Sequence, residues 1–262
     1  MTDHVLAATD KGVQTLTLNR PDKKNALTAA MYGALADGLE RAERDASIRV
    51  TLIRANGDAF TAGNDLADFA AAGATPVDRQ PDEKPHVTRF LENLATAEKP
   101  LIAAVNGLAV GVGVTMLLHC DLVYAGEAAT FQMPFVNLGL VPEAGSTLLL
   151  PRLVGMQKAA DLFLTGKKID AAKAEALGLI AEVFPDASLQ TEALARAEAL
   201  AAKAPNAVRL TKALLRGEDR GAVLARQKKE GADFANQLRS AEVKEAISAF
   251  FEKRAPDFSK LG

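Results

Sequence analysis

Apolar and polar positions change period along this chain, and each change predicts an element. Val13-Gln14-Thr15-Leu16-Thr17-Leu18 alternates, with β-branched residues among its members, and predicts a strand ending at Asn19-Arg20-Pro21. Met31, Leu35 and Leu39 then recur at helical spacing, and Thr28 stands where an N-cap would satisfy the first free N–H groups. Val50-Thr51-Leu52-Ile53 predicts a second strand, closed by the turn Ala55-Asn56-Gly57-Asp58. A strand, a helix and a strand in that order predict a crossover unit.

Further on, the pattern breaks and resumes. Residues 70–86 carry three prolines, Gly73 and mixed charges, and read as a mobile surface loop or lid. A helix is predicted around Val87–Thr96, a buried strand over Leu101–Val105, an apolar helix over Val114–His119 and a strand over Leu122–Ala125. Thr147–Leu150 and Ala159–Leu164 read as helical. Asp170 caps a short helix closed by Gly178, and Ile180–Val183 is the final strand. From about Ser188 the pattern is all helical, with Pro205 opening a new helix and Ala222 to about Phe251 forming one or two more. The chain therefore divides into an α/β front, residues 1–200, and a helical region, 201–262. Leu210, Leu214, Leu215, Val223, Phe234 and Leu238 interrupt the charged tail, so it needs a partner surface.

Two glycine turns carry the chemistry. Phe60-Thr61-Ala62-Gly63-Asn64-Asp65-Leu66 and Asn106-Gly107-Leu108-Ala109-Val110-Gly111-Val112-Gly113 each follow an apolar run and lead into a helix-like segment. Such turns leave backbone N–H groups free at a helix N-terminus. Two of them side by side could hold one carbonyl oxygen as negative charge develops on it, which is the design of an oxyanion hole. Either turn alone is equally well read as an ordinary tight turn.

Composition narrows the rest. With 262 residues and a formal charge of −2, the chain offers no electrostatic case for nucleic acid. Its single cysteine, Cys120, sits in an apolar stretch and reads as a buried structural thiol. No disulfide within the chain is possible, which fits a reducing, cytoplasmic setting. The first residues do not resemble a signal peptide, and no apolar run approaches the roughly 20 residues of a membrane span. No His, Cys and carboxylate spacing suggests a metal site. His119 reads as a helix histidine without a visible partner, and His4 and His86 as exposed.

Leu18-Asn19-Arg20-Pro21 with Asn25-Ala26-Leu27, the Ala62-to-Leu66 turn, Asn106-Gly107 and Cys120-Asp121-Leu122, in that order and spacing, make the chain resemble the crotonase (enoyl-CoA hydratase/isomerase) superfamily over nearly its whole length. The resemblance implies an α/β fold of repeated ββα units, a helical C-terminal region that builds homotrimers or hexamers, and an acyl-CoA substrate. No cofactor is implied beyond the coenzyme A of the thioester. It implies oxyanion donors at the backbone N–H of Asn64 and Val112. Ala62, Gly63, Asp65, Leu66, Gly111 and Phe135 are implied near the substrate. Asp65 reads as a residue that caps or braces the first turn, with a role as an acid the alternative. Arg20, Lys24, Phe251 and Lys253 lie in segments that resemble CoA-contacting regions. Solvated-surface roles for the three cations, and interface packing for Phe251, are the alternatives.

The family's hydratases use two glutamates, at positions held here by Thr115 and Phe135. Adding water needs carboxyl groups to orient and deprotonate it. A carboxylate appears later, in Leu140-Val141-Pro142-Glu143-Ala144-Gly145-Ser146, and this run resembles the enoyl-CoA isomerases that move a double bond from the 3- to the 2-position. In that branch the motif's glutamate is the single base, which maps onto Glu143. From spacing alone Glu143 is equally an acid in a first helical turn, where it favours the dipole. Another crotonase reaction, hydration included, and a catalytically silent acyl-CoA-binding homologue are the alternatives to isomerisation.

Overall fold

The computed structural model describes residues 2–65, 84–217, 219–259 and 261. Leu66 and nearly all of the lid expected over residues 70–86 lie outside the described residues. The elements begin with β1 (Val5–Asp10), β2 (Val13–Leu18), α1 (Ala29–Arg44), β3 (Val50–Ala55), β4 (Ala59–Thr61) and α2 (His86–Thr96). Next come β5 (Leu101–Val105), β6 (Leu108–Val110), the short helix α3 (Val112–Thr115) with a 3-10 turn at Met116–His119, β7 (Leu122–Gly126) and β8 (Thr130–Gln132). They continue with α4 (Ser146–Val154), α5 (Met156–Thr165), β9 (Lys168–Asp170), α6 (Ala171–Ala176) and β10 (Glu182–Phe184). The last four are α7 (Leu189–Ala201), α8 (Pro205–Arg216), α9 (Asp219–Gln237) and α10 (Ala241–Phe251).

Two sheets follow from this order. One runs β1-β2-β3-β5-β7-β10, antiparallel only between β1 and β2; the other runs β4-β6-β8-β9, antiparallel only between β8 and β9. A long strand, a short strand in the second sheet and a helix recur as β3-β4-α2 and β5-β6-α3. This is the ββα repeat that the resemblance implied.

Alternation along the strands assigns residues to faces. Leu16, Ile53 and Ala103 pack with Met31, Leu35 and Leu39 of α1 in the larger core. Leu52, Ile102 and Ala104 point the other way, onto Leu189, Ala193, Ala197 and Ala201 of α7. Every residue of β5 is buried, as expected of a parallel strand covered on both faces. Thr28 caps α1 as its sequence predicts, its hydroxyl accepting from the Met31 N–H. Asp170 caps α6 in the same way.

Some elements differ from expectation. The helix expected over Val114–His119 starts two residues earlier, at Val112, and tightens to 3-10 geometry at Met116. The last strand is Glu182–Phe184, not Ile180–Val183. β1 and the short second-sheet strands are too brief or too mixed for periodicity to reveal. The apolar positions of the tail separate into two groups. Val223, Phe234 and Leu238 pack onto the body, whereas Leu210, Leu214 and Leu215 are exposed, the last two above 80%. Asp121 ties α8 to the sheet by accepting from Lys212 Nζ at 2.7 Å, Arg216 at 3.1 Å and the Leu101 N–H at 2.8 Å.

Candidate active site

The parallel pairing of β4 with β6 brings the two glycine turns together. Ala59 pairs with Leu108 and Thr61 with Ala109, so both strands deliver their C-terminal ends to one edge. Ligands in α/β proteins gather at that edge. Contact is close: a Cβ added to Gly63 would lie 3.0 Å from the Val110 carbonyl oxygen, and one on Gly113 would lie 2.5 Å from the Thr61 methyl. Gly63 has φ +90° and Gly111 has φ +56° with ψ −117°, conformations that residues with a Cβ rarely adopt.

The segment before α1 holds the first turn. Leu27 N–H donates to the Gly63 carbonyl at 2.8 Å, Asp65 N–H to the Leu27 carbonyl at 3.0 Å and Ala62 N–H to the Lys24 carbonyl at 2.9 Å. This alternation leaves the Asn64 N–H facing away from the bridge, with no partner among the described residues. Asn25 is buried, donating to the Asn56 and Ala59 carbonyls and accepting from the Arg20 N–H at 2.7 Å. Arg20 itself donates to Asp65 at 2.6 Å and to the Ala26 carbonyl at 3.1 Å. Asp65 thus ties the turn to Arg20 and to the Leu27 backbone. On the other turn, Val112 is the first residue of α3, and its N–H is likewise unpartnered among the described residues.

One turn of helix joins that N–H to a carboxyl group. Val112 opens α3 and Thr115 closes it, with the Thr115 hydroxyl donating to Glu143 Oε1 at 2.5 Å. Glu143 is 8% exposed, and burial raises its carboxyl to about 7; the Thr115 hydrogen bond pulls it down, and the charge of Glu230 pushes it up. Glu143 and Asn64 line the same cavity, of about 1160 Å³, with Leu27, Tyr32, Asp65, Leu91, Gln227, Gly231, Phe234 and Leu238 among its walls. Tyr32 donates its phenol to Asn64 Oδ1 at 2.5 Å. Burial first, and then the nearby Glu143 charge, hold that phenol well above its usual range, so it remains a donor.

Of the expected site residues, Asn64, Asp65 and Glu143 line the cavity, and Ala62, Gly63, Gly111 and Val112 form the turns behind it. Phe135 does not line it: the ring is buried in the core, 6.5 Å from that of Phe163. Nor do Arg20, Lys24, Phe251 and Lys253. Arg20 is committed to Asp65, Lys24 pairs with Asp58, and Phe251 stacks edge-on with Phe250. Burial holds the Cys120 thiol up at about 12, far from a nucleophile's range. His119 does have a partner. Its Nε2–H donates to the Ala144 carbonyl at 2.7 Å, and burial lowers the imidazole to about 4, so it is neutral.

Tyr32, Gln227 and Glu230 escaped the sequence reading. Tyr32 lies on the buried face of α1 beside Met31, where a polar-tipped aromatic was the available signal. Gln227 and Glu230 flank Lys228-Lys229 and look like a solvated helix face. Among the described residues, no group of three or more His, Cys, Asp or Glu could hold a metal ion, and no helix is long and apolar enough to cross a membrane.

The family model described as Enoyl-CoA hydratase/isomerase matches residues 8–260. The chain belongs to the enoyl-CoA hydratase/isomerase family. It is 36% identical over 250 residues to Enoyl-CoA delta isomerase 2 of Rattus norvegicus, spanning 95% of this chain and 64% of that protein's length. It is 38% identical over 256 residues to 2,3-dehydroadipyl-CoA hydratase of Escherichia coli K12, covering 97% and 98% of the two chains. The crystal structure of an enoyl-CoA hydratase/isomerase from Pseudoalteromonas atlantica T6c superposes with a TM-score of 0.92 at 50% identity, covering 98% of this chain and 100% of that one. These relatives include both an isomerase and a hydratase, so the individual side chains must separate the two chemistries.

Proposed function

We propose that this member of the family is an enoyl-CoA isomerase that moves a double bond from the 3- to the 2-position of an acyl-CoA. The observation that carries the proposal is Glu143, a buried carboxyl on the cavity wall whose affinity for protons is raised to about 7. A base with that affinity can take and return a proton near neutral pH. Glu143 removes a C2 proton from the 3-enoyl thioester. The C2–H electrons and the C3–C4 double bond form a dienolate, with its charge on the thioester oxygen between the Asn64 and Val112 N–H groups. The same carboxyl delivers the proton to C4, leaving a double bond between C2 and C3. No water is consumed.

Hydration is less well supplied. Thr115 already donates to Glu143, and Phe135 packs in the core, so neither family hydratase position offers a second carboxyl to orient water. Lys228 on the cavity rim is exposed and suits a CoA phosphate. The exposed Leu210, Leu214 and Leu215 suit a homotrimer or a dimer of trimers. The single cysteine suits a reducing compartment such as the cytoplasm. The test is a side-by-side assay of 3-enoyl-CoA isomerisation and 2-enoyl-CoA hydration. Isomerisation should dominate, and faster hydration would remove the proposal.

A further inference from the structure

Glu143 is not mounted on a strand or a long helix. It precedes a turn in which Ala144 has φ +65° and Gly145 has φ +73°, before α4 begins at Ser146. Ala144 carries a Cβ in the left-handed region, so something outside the turn has to hold it there. The clamp comes from α9. Glu230, 5% exposed, accepts from the Gly145 N–H at 2.5 Å, the Thr147 N–H at 3.0 Å and the Thr147 hydroxyl at 2.5 Å. Arg226, one turn earlier, donates to the Thr147 hydroxyl at 2.9 Å. Gln227 and Gly231 of the same helix line the cavity.

We propose that Glu230 is a positioning residue for Glu143: by clamping the Gly145–Thr147 backbone it fixes where the base points. This rests on the isomerase reading for its catalytic meaning, though not for its geometry. An ordinary cap on α4 would explain the two N–H bonds alone. It would not explain a carboxylate buried beside the turn that carries another buried carboxyl: burial raises the proton affinity of Glu230 itself, against the Thr147 and Gly145 hydrogen bonds and the Arg226 charge that lower it. The charge of Glu230 pushes Glu143 upward, in the direction a base working near neutrality needs. The other titratable groups in contact with this turn or with Glu143 are Tyr32 of α1, His119 of the 3-10 turn and Arg226 of α9. Asp65, Glu92 and Lys228 line the same cavity, Asp65 paired with Arg20 and Glu92 with Lys84, and the charge that pushes on Glu143 is that of Glu230.

The experiment compares the full-length protein with Glu230→Gln in two readouts. In the first, side-chain carboxyl signals of 13C-glutamate-labelled protein are titrated by NMR, the Glu143 signal being identified by its loss in Glu143→Gln. Removing the Glu230 charge should move the Glu143 titration to lower pH. In the second, kcat for isomerisation should fall about 10- to 100-fold with KM within about twofold, because misplacing a reacting group costs the chemical step. In a Glu143→Gln background, Glu230→Gln should cause no further loss. An unmoved Glu143 titration with unchanged kcat would overturn the proposal, as would an equal loss in both backgrounds. If Glu230→Gln does not fold, Thr147→Val removes one donor and keeps the charge; kcat should fall about tenfold, and no change would overturn the proposal. A parent protein that does not isomerise 3-enoyl-CoA defeats the isomerase reading, yet the titration still decides whether Glu230 governs Glu143.

Discussion

The two halves of the site are built by different means. The proposed oxyanion half stands on β4 and β6, adjacent parallel strands whose ends are fixed by the sheet, by the Asn25 side-chain amide and by the Leu27 backbone. The proposed base half stands on an irregular turn held from outside by Thr115, His119 and Glu230, the last 85 residues away from Gly145. The contrast follows from what the proposed reaction asks of each half. An oxyanion donor must be rigid and needs only backbone groups, which a sheet edge supplies. A base needs a tuned proton affinity, which only surrounding side chains can supply.

The largest expected effect strikes the base half. Glu143→Gln keeps the acceptor for Thr115 and removes the base, so isomerisation should fall about 100- to 10,000-fold while the protein still folds and binds acyl-CoA. Circular dichroism and a CoA-ester binding isotherm check the second part. Breaking the oxyanion half should cost somewhat less. A Cβ at Gly111 would meet nothing within 4 Å among the described residues, but valine there must adopt φ +56° with ψ −117°. The turn should rearrange and lose one donor, for about a 100-fold loss of kcat. Retention of full activity would dissociate Val112 from the mechanism.

The pH profile sharpens the contrast, because only the base half titrates. Since Glu143 must be deprotonated to act, kcat/KM should rise with pH and level off above about 7. The Thr115 hydrogen bond lowers that value, so Thr115→Val should move the acid limb to higher pH. An unmoved limb would mean another group controls it. Tyr32→Phe removes a side-chain bond to Asn64 without touching its N–H. One neutral hydrogen bond is worth about 1 kcal/mol, so the loss should be about fivefold and independent of pH.

Stability should show the same asymmetry. Glu143 is raised from an ordinary 4.5 to about 7. Between those values the folded chain holds a proton that the unfolded chain has released, so stability falls as pH rises through the window. Glu143→Gln removes that cost. Its stability relative to the parent should grow from near zero below pH 4.5 to on the order of 3 kcal/mol above 7, read by urea denaturation. His119 acts in the opposite sense. Its value is lowered from 6.5 to about 4, so the stability it contributes is present above 6.5 and lost as pH falls through 4. His119→Gln should flatten that acid loss.

The parallel framework and the two turns are legible in the local order of residues. Alternation in β2, the buried run of β5, the Thr28 cap and the glycines at 63 and 111 are local demands of backbone geometry, and local demands leave local marks. That order also placed Glu143 as a candidate base, through a motif. What surrounds that carboxyl depends on the fold. Tyr32, Thr115, His119, Gln227 and Glu230 gather around the base and its turns from three separate stretches of chain, and no short-range pattern links them. The fold sent Phe135 into the core and committed Arg20 to Asp65, because packing and pairing depend on which helix lies across which sheet. It also divided the tail, folding α9 against the cavity and leaving Leu210, Leu214 and Leu215 on the surface. A residue's partners depend on the whole path of the chain, whereas its backbone preferences depend on its neighbours. That is why the turns were legible and the tuning of the base was not.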